Sequence, residues 1–249
     1  MKEKKIKLCL VLIGIFSCIL LYQVIVAARS VGNYPEKIWL HRCNSLEKLH
    51  EKGHLYKNIE VEIVFREKEN TLDVTHDSDT TFHLDIEDYF NHFKKKGGRM
   101  WLDIKNLSGS NKNSILQRLT YLCDTYHIRK EQLIIESKSW KDLKLFTDHG
   151  FYTSMYVPYD QPSRLSPAEE KNCIRELQHI ADSGFVKALS FPYWWYPEIK
   201  KELNRPIDLL TWKHRTTQFI FLLSNEGKKM MKDNQLKVVL VKDKGKYHR

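Results

Sequence analysis

The sequence predicts an α/β fold, a (β/α)8 TIM barrel preceded by one N-terminal transmembrane helix. The chain has 249 residues, which is enough for one such domain and short for two. From residue 38 onward, short apolar runs alternate with longer amphipathic runs, as the strands and helices of a barrel do. One longer apolar run precedes them at residues 8–28. These observations divide the chain into a predicted membrane segment and a single predicted barrel domain.

The apolar run at residues 8–28 predicts a membrane anchor or a signal peptide. It is about 21 residues long, enough to span a bilayer as a helix. A basic tail at residues 1–7 precedes it, and a linker at residues 29–37 follows it. The positive-inside rule places such a tail in the cytoplasm, so we expect a single-pass protein of the cell membrane with residues 38–249 outside the cytoplasm. Cleavage after the small residues Val26-Ala27-Ala28 is the alternative and predicts a secreted protein.

Eight short apolar runs are the predicted barrel strands. They are Ile38–His41, Ile59–Phe65, Met100–Lys105, Gln132–Ser137, Phe151–Val157, Phe185–Phe191, Pro206–Trp212 and Leu236–Val241. Short apolar runs of this kind fit parallel strands that are buried on both faces.

The helices predicted between these strands have recognisable ends. They are Asp85–Lys96, Asn111–Tyr126, Ser139–His149 and a helix that ends at Gly184. The last one opens with the capping box Ser166-Pro167-Ala168-Glu169, which also places proline at the first helical position. The segment Thr216–Asp233 is the least regular, because Phe219 to Leu223 fits either a helix or a strand.

The charge and cysteine patterns argue against two classes of protein. The net charge is +10, but the basic residues are concentrated at the two ends of the chain. Nucleic-acid binding needs a basic face on the domain, so we expect no nucleic-acid partner. Outside the apolar run the cysteines are Cys43, Cys123 and Cys173, and no Cys-x-x-Cys occurs. They indicate neither a structural zinc site nor a disulfide framework.

Two glutamates on the second predicted strand are candidate metal ligands. Residues two apart in a strand point to the same face, so Glu60 and Glu62 project together. Proteins tolerate such carboxylates mostly where a cation lies between them. The polar segment Arg66 to Asn70, followed by the alternating Thr71 to Thr75, predicts a hairpin that returns His76 to the carboxylates. A solvated edge strand with ordinary surface glutamates is the alternative.

The first three predicted strands end in a concentrated set of polar residues, where the active site of a TIM barrel lies. The set is His41 and Arg42, then Glu60, Glu62 and His76, then Asp103 and Lys105. The oxygen ligands of Glu60, Glu62 and Asp103 suit a divalent cation, Mg²⁺ or Ca²⁺, better than zinc.

The basic members of this set suit an anionic phosphate group. Arg42 and Lys105 place fixed positive charge beside the predicted metal. Histidine side chains in general exchange protons near neutral pH, so one of His41 and His76 can take a proton from an attacking hydroxyl while the other donates one to the leaving oxygen. Together with a divalent cation, these groups predict cleavage of a phosphodiester.

The order of these residues resembles the glycerophosphodiester phosphodiesterase family, within the phospholipase-C-like barrel superfamily. The matching motifs are His41-Arg42, Glu60-x-Glu62, Val74-Thr75-His76-Asp77 and Leu102-Asp103-Ile104-Lys105, with weaker matches at Ile135-Glu136-Ser137 and Thr211-Trp212. The resemblance implies that Glu60, Glu62 and Asp103 are metal ligands, that His41 and His76 are the acid/base pair, that Arg42 and Lys105 bind phosphate, and that Trp212 lines the substrate.

The motifs also depart from that family. Cys43 stands where the family has glycine, and Glu62 and Asp103 exchange glutamate and aspartate relative to it. The motif His41-x-x-Asn44, with aspartate at position 103, looks like the sphingomyelinase-D branch and the animal menorin-type proteins. The resemblance therefore implies cleavage of glycerophosphodiester-type phosphodiesters, and it leaves a sphingomyelinase-D-like lyase open. The predicted location outside the cytoplasm adds the phosphodiesters of phospholipids or envelope polymers as expected substrates.

Two alternatives come from other functional classes. A barrel that binds a phosphate ligand without turnover would have the same fold, but a degenerate site is expected to lose at least one of the polar residues. A glycosidase also uses paired carboxylates, yet it has no use for Arg42 and Lys105 beside them.

Overall fold

A closed ring of parallel strands forms the centre of the fold. The computed structural model describes residues 2–217 and 224–246, with side chains at 6–22, 25, 32–95, 97–213 and 224–246. Its strands are β1 Ile38–Leu40, β2 Ile59–Arg66, β3 Thr71–Val74, β4 Met100–Ile104, β5 Leu133–Ser137, β6 Tyr152–Tyr156, β7 Ala188–Pro192, β8 Asp208–Thr217 and β9 Leu236–Lys242. The ring runs β1-β2-β4-β5-β6-β7-β8-β9 and closes where β9 pairs with β1. All eight predicted barrel strands are therefore confirmed, with ends that differ by a few residues.

The ninth strand, β3, lies outside this ring. It pairs antiparallel with β2, in the register Ile63 to Val74 and Arg66 to Thr71. The predicted hairpin is confirmed, and it returns the chain along β2, so that His76, two residues after β3, lies beside Glu62.

The N-terminal helix is α1 Lys2–Asn33. The helices that follow along the barrel are α2 Leu46–Lys52, α3 Glu87–Lys96, α4 Lys112–Tyr126, α5 Trp140–Asp148, α6 Pro167–Ser183, α7 Tyr196–Glu202 and α8 Asn225–Lys232. The capping box at Ser166 and Glu169 is present, and Gly184 adopts the left-handed conformation that ends α6. The helices α2 and α7 were not predicted, because seven residues are too few to show a helical period. The segment Phe219 to Leu223 lies outside the described residues.

The N-terminal segment is helical along α1. Its described apolar side chains, including Leu12 and Phe16, are exposed. No helix long and apolar enough to cross a membrane occurs among the residues described above. The predicted span at residues 8–28 includes residues 23, 24 and 26–28, whose side chains lie outside the description. The predicted anchor stays a prediction.

Two separate apolar cores follow from the alternation of side chains along the strands. The larger one fills the space between the barrel and its helices. The smaller one fills the barrel interior and consists of Trp39, Trp101, Ile134, Ala188, Leu210, Trp212, Val238 and Leu240. Fully burying a large apolar side chain stabilises a fold by about 1.5–3 kcal/mol. Because these side chains pack the middle of the interior, the cavities of the barrel lie at its two ends, and the one lined by Glu60, Glu62 and Asp103 lies at the carboxyl ends of the strands.

Candidate active site

A cavity of about 240 Å³ opens at the carboxyl ends of the barrel strands. Every predicted site residue lines it. The lining consists of His41, Arg42, Glu60, Glu62, His76, Trp101, Asp103, Lys105, Glu136, Tyr156, Trp212, Lys213, Leu240 and Lys242. The set that the sequence predicted from separate strand ends is thus brought together around one space.

Three carboxylates form the acidic side of this cavity. Glu60 and Glu62 point inward from β2, and the register of β2 with β4 places Asp103 directly beside Glu62. All three side chains are buried, and one oxygen from each lies within 4.8 Å of the others. Such a cluster of hard oxygen donors fits Mg²⁺ or Ca²⁺, since burial of like charges is costly unless a cation offsets it.

Glu62 is the most heavily bonded carboxylate of the cluster. Its Oε1 accepts from Lys105 Nζ at 2.9 Å and lies 3.3 Å from an Arg42 guanidinium nitrogen. Its Oε2 accepts from Asn44 Nδ2 at 2.8 Å, and Asn44 Oδ1 in turn accepts the Glu62 backbone N–H. Burial alone would raise the pKa of this carboxyl, but Lys105 and Arg42 hold it below its usual value.

Glu60 has a different environment on the same strand. Its Oε2 accepts the backbone N–H of Arg42 at 2.6 Å, and His41 Nε2 lies 3.9 Å from the same oxygen. Burial, followed by repulsion from Glu62 and Asp103, raises the pKa of Glu60 to about 8. The protein alone therefore leaves the negative charge of Glu60 poorly compensated, as expected for a ligand that meets a cation.

Lys105 is the resident positive charge of the cluster. Its ammonium donates to Glu62 and, at 2.5 Å, to Asp103 Oδ2. Burial opposes this charge, but the two carboxylates dominate and raise the pKa of Lys105. At Asp103, burial outweighs the lysine, and the pKa of the carboxyl is raised.

The segment that carries His41 and Arg42 is held by a buried lysine. Arg42 has a positive φ of 53°, a left-handed conformation that non-glycine residues adopt rarely. Lys48, in the first turn of α2, is fully buried and donates to the carbonyls of His41 at 2.9 Å and Arg42 at 2.8 Å. Burial lowers the pKa of Lys48 to about 8. This lysine was not predicted as a site residue, and its contacts fix the backbone that presents both side chains.

The two histidines face the cavity from different elements. The His41 side chain, after β1, is 13 % exposed, whereas the His76 side chain, after β3, is 50 % exposed. Nδ1 of His76 lies 2.5 Å from Asp77 Oδ1, and its Nε2 lies 3.8 Å from Glu62 Oε1. A carboxylate that is hydrogen-bonded to one nitrogen of an imidazole ring fixes the direction in which the second nitrogen points. Asp77 therefore orients Nε2 of His76 toward the acidic cluster.

A fourth buried carboxylate, Glu136, completes the floor of the cavity. It lies beside Asp103 in the register of β4 and β5. Trp101 Nε1 donates to its Oε2 at 2.9 Å, and the Ser190 hydroxyl donates to its Oε1. Burial, with repulsion from Asp103, raises the pKa of Glu136 well above its usual value. Glu136 was predicted to lie at the end of a strand, and no role was predicted for it.

The wall across the ring from Asp103 is aromatic and basic. The rings of Tyr156 and Trp212 are stacked, with centroids 5.3 Å apart and an interplanar angle of 26°. Lys213 and Lys242 line the same wall from β8 and β9. Trp212 therefore lines the cavity, and its contact with a substrate stays a prediction.

No family model and no curated protein matches this sequence. Solved structures do share the fold. A glycerophosphodiester phosphodiesterase from Parabacteroides distasonis superposes with a TM-score of 0.56 at 14 % identity, over 82 % of this chain and 91 % of that one. A phosphodiesterase from Oleispira antarctica, solved with the product sn-glycerol-3-phosphate, gives 0.55 at 12 % identity, over 84 % and 94 %. At these identities the likeness shows the TIM-barrel fold, and it agrees with the resemblance that the strand-end motifs carry.

Proposed function

We propose that this protein is a metal-dependent phosphodiesterase that cleaves glycerophosphodiester-type diesters or the phosphodiesters of lipids and envelope polymers. One observation carries the proposal. A single cavity joins a buried carboxylate cluster to two cationic groups, Arg42 and Lys105, and to two histidines, His41 and His76. Barrel enzymes bind their substrates at this end of the strands.

The carboxylates Glu60, Glu62 and Asp103 would hold a divalent cation, Mg²⁺ or Ca²⁺. When bound, such an ion polarises a phosphoryl oxygen and offsets developing negative charge. Arg42 is the cation best placed to hold the phosphate, because its guanidinium is only partly engaged by Glu62 at 3.3 Å and is one-third exposed. Lys105 is tied to two carboxylates and would act on the phosphate from within the cluster.

The two histidines would move the protons. His76 has a carboxylate at Nδ1, which stabilises an imidazolium, so we assign it as the base that accepts the proton of the attacking hydroxyl at Nε2. His41 would then give a proton to the leaving alcohol oxygen as the phosphorus–oxygen bond breaks. Water as the nucleophile gives a phosphomonoester and an alcohol, whereas a hydroxyl of the substrate itself gives a cyclic phosphate, the outcome of a lyase.

The proposed location rests on the sequence of the N-terminal segment. The basic tail before the apolar run at residues 8–28 favours a cytoplasmic amino terminus and a barrel outside the cytoplasm. A barrel held there would act on membrane-borne diesters at a raised effective concentration.

The test is a screen of phosphodiesters with Mg²⁺, Ca²⁺ or EDTA, followed by phosphorus NMR of the products. We expect turnover that EDTA abolishes, and the spectrum separates a monoester from a cyclic phosphate. Tight binding of diesters with no turnover would favour the non-catalytic barrel instead. Hydrolysis of glycosides that a chelator leaves unchanged would favour the glycosidase.

A further inference from the structure

We propose that Arg66 is a positioning residue for His76. It fixes the turn at residues 77–80, and through that turn it holds the Asp77 carboxylate that orients the base. This inference rests on the proposed function, because it names the group that keeps the proposed base in place.

His76 lies in a loop, residues 75–84, that leaves β3 and returns to it. The backbone N–H of Val74 donates to the carbonyl of Leu84 at 2.8 Å, which ties the end of the loop to the strand where the loop begins. The two ends thus lie together, as in an Ω-loop, and the residues between them belong to no strand or helix. The position of His76 therefore depends on the contacts that hold this loop.

Arg66, the last residue of β2, reaches into the loop. Its Nη1 donates to the carbonyl of Ser78, and its Nη2 donates to the carbonyl of Thr80. The backbone N–H of Thr80 donates in turn to the carbonyl of Asp77 at 3.2 Å, which closes the turn. One guanidinium group therefore holds two carbonyls of the turn that begins at Asp77.

A buried carboxylate orients the arginine. Asp73, on the neighbouring β3, accepts at Oδ2 from Arg66 Nε at 3.3 Å and from Arg66 Nη2 at 3.1 Å. The Asp73 side chain is buried and the Arg66 side chain is only partly exposed. Hydrogen bonds between ionised groups are stronger than neutral ones, and both residues stand on a regular antiparallel pair of strands. Arg66 thus links the hairpin firmly to the loop that carries His76.

Packing between the hairpin and the loop is incomplete. A cavity of about 460 Å³ separates them, lined by Arg66 and Asp73 on one side and by Thr80, Thr81 and Leu84 on the other. Side chains that border such a space lose the van der Waals contacts that a filled core would give them. The hydrogen bonds of Arg66 therefore contribute more to the attachment of the loop than they would in a packed interior.

The ring of His76 needs this support. Its side chain is half exposed, and its Nε2 lies 3.8 Å from Glu62 Oε1, beyond hydrogen-bond distance. Its Nδ1 lies 2.5 Å from Asp77 Oδ1. The orientation of the ring thus depends on Asp77, and that of Asp77 on the turn that Arg66 holds. Displacement of a catalytic group by about 1 Å can lower a rate by about 10²-fold.

Nuclear magnetic resonance tests the positioning without turnover. When Nδ1 of His76 donates to Asp77, the neutral ring is held in the tautomer with a bare Nε2. Correlation of ring protons with ring nitrogens identifies this tautomer in EDTA-treated protein at about pH 9, where an ordinary imidazole is neutral. The signals of His76 are those that His76→Ala lacks. We expect one tautomer in wild type and a mixture in the double variant Arg66→Met, Asp73→Asn.

The choice of variants separates the loop contacts from the ion pair. The double variant removes both charges, since Arg66→Met alone would leave the buried Asp73 carboxylate unpaired. Arg66→Lys keeps a positive charge beside Asp73, but one nitrogen cannot reproduce contacts made by three, so this variant should lie between wild type and the double variant. Arg205→Met, Asp182→Asn is the matched control, because Arg205 donates to the Asp182 carbonyl at 2.9 Å before β8, at the amino end of the barrel.

Kinetics show whether Arg66 acts through His76. The double variant should lower kcat about tenfold or more and change KM less than about twofold, because the base is displaced while Arg42 still binds the phosphate. Added to His76→Ala, the same two changes should lower kcat no further, since the group they position is already missing. The control pair of changes should leave kcat and the tautomer of His76 as in wild type.

Three results would overturn the inference. They are an unchanged single tautomer of His76 in the folded double variant, the same mixture of tautomers in the control, and a loss of kcat that persists in the His76→Ala background. If the double variant does not fold, Arg66→Lys decides by the same measurements. If wild type cleaves no diester, the phosphodiesterase proposal fails, and the tautomer of His76 still decides the role of Arg66.

Discussion

Glu60 and Glu62 stand two residues apart on β2 and face the same cavity, yet their carboxyl pKa values are displaced in opposite directions. Glu62 is engaged by Lys105, Arg42 and Asn44, and its pKa is lowered. Glu60 accepts a hydrogen bond from the backbone N–H of Arg42 and none from the side chains of these three residues. Burial, together with repulsion from Glu62 and Asp103, raises the pKa of Glu60 to about 8. The protein thus compensates one carboxylate itself and leaves the other for a cation.

The metal-free protein should lose stability as the pH rises from about 5 to 8. The folded pKa of Glu60 exceeds its unfolded value, so the folded state binds more protons in this window and stability falls as they are lost. One such group changes the free energy of unfolding by up to about 1.4 kcal/mol per pH unit. Urea unfolding of EDTA-treated wild type and Glu60→Gln at pH 5.5, 6.5 and 7.5 measures this change in the free energy of unfolding.

As the pH rises from 5.5 to 7.5, the free energy of unfolding of wild type should fall relative to that of Glu60→Gln. Saturating Mg²⁺ or Ca²⁺ should reverse the trend for wild type, because the cation binds the ionised carboxylates. Parallel curves for the two proteins without metal would contradict the environment assigned to Glu60.

Divalent cations should stabilise the folded protein through the carboxylate cluster. At a concentration one hundred times the Kd, binding adds about 2.7 kcal/mol to the free energy of unfolding. Glu62→Gln should abolish this gain as well as turnover, whereas Asp124→Asn, an exposed change on α4, should keep both. Wild-type activity of Glu62→Gln after dialysis against a chelator would show that the metal assignment is wrong.

The sequence predicted most of the barrel and the acidic side of the site, because both follow from local patterns. Period-two alternation and strand ends are enough to place Glu60, Glu62 and Asp103 on one edge of a parallel sheet. The partners of Glu136 depend instead on strand register and on Ser190, which lies 54 residues away. Such contacts exist only once the ring has closed.

Lys48 could have been suspected from one local signal. A lysine in the first turn of a helix opposes the helix dipole, which favours acidic residues there. The conflict is resolved by its contacts with the carbonyls of His41 and Arg42. Nothing in the sequence shows that the chain before α2 turns back over this lysine, so its role appears only in the fold.

Lys48→Met should lower activity by displacing the segment that presents His41 and Arg42. The change removes the hydrogen bonds to two partly buried carbonyls, at a cost of up to about 1–3 kcal/mol each, but it also removes a buried charge. We therefore expect kcat/KM to fall about tenfold or more, with KM raised through Arg42, while the metal-dependent rise in Tm is kept. Lys48→Arg should restore part of the activity.

The exposed change Lys95→Met on α3 is the control for Lys48→Met. If Lys48→Met retains full kcat/KM with normal folding, the lysine has no positioning role. Loss of the metal-dependent rise in Tm would indicate instead that the whole cluster has been disturbed.

The proposed topology predicts on which side of the membrane the barrel is accessible to protease. Added protease should digest it in intact spheroplasts, and a protein that begins near Ser30 should keep its rate on soluble diesters but lose rate on membrane-embedded ones. A barrel digested only after lysis would mean that the topology is inverted.

His41 and His76 should act as a coupled acid and base, giving a bell-shaped pH dependence of kcat/KM. Each change to alanine should lower kcat by about 10²-fold or more, while His54→Ala, at an exposed position after α2, should have no effect. A diester with a highly acidic leaving alcohol needs no proton donor. It should therefore rescue His41→Ala, the variant without the proposed acid, and not His76→Ala, in which the base beside Asp77 is missing. Rescue of His76→Ala alone would exchange the two roles, and equal rescue of both variants, or of neither, would show that the division of labour is wrong.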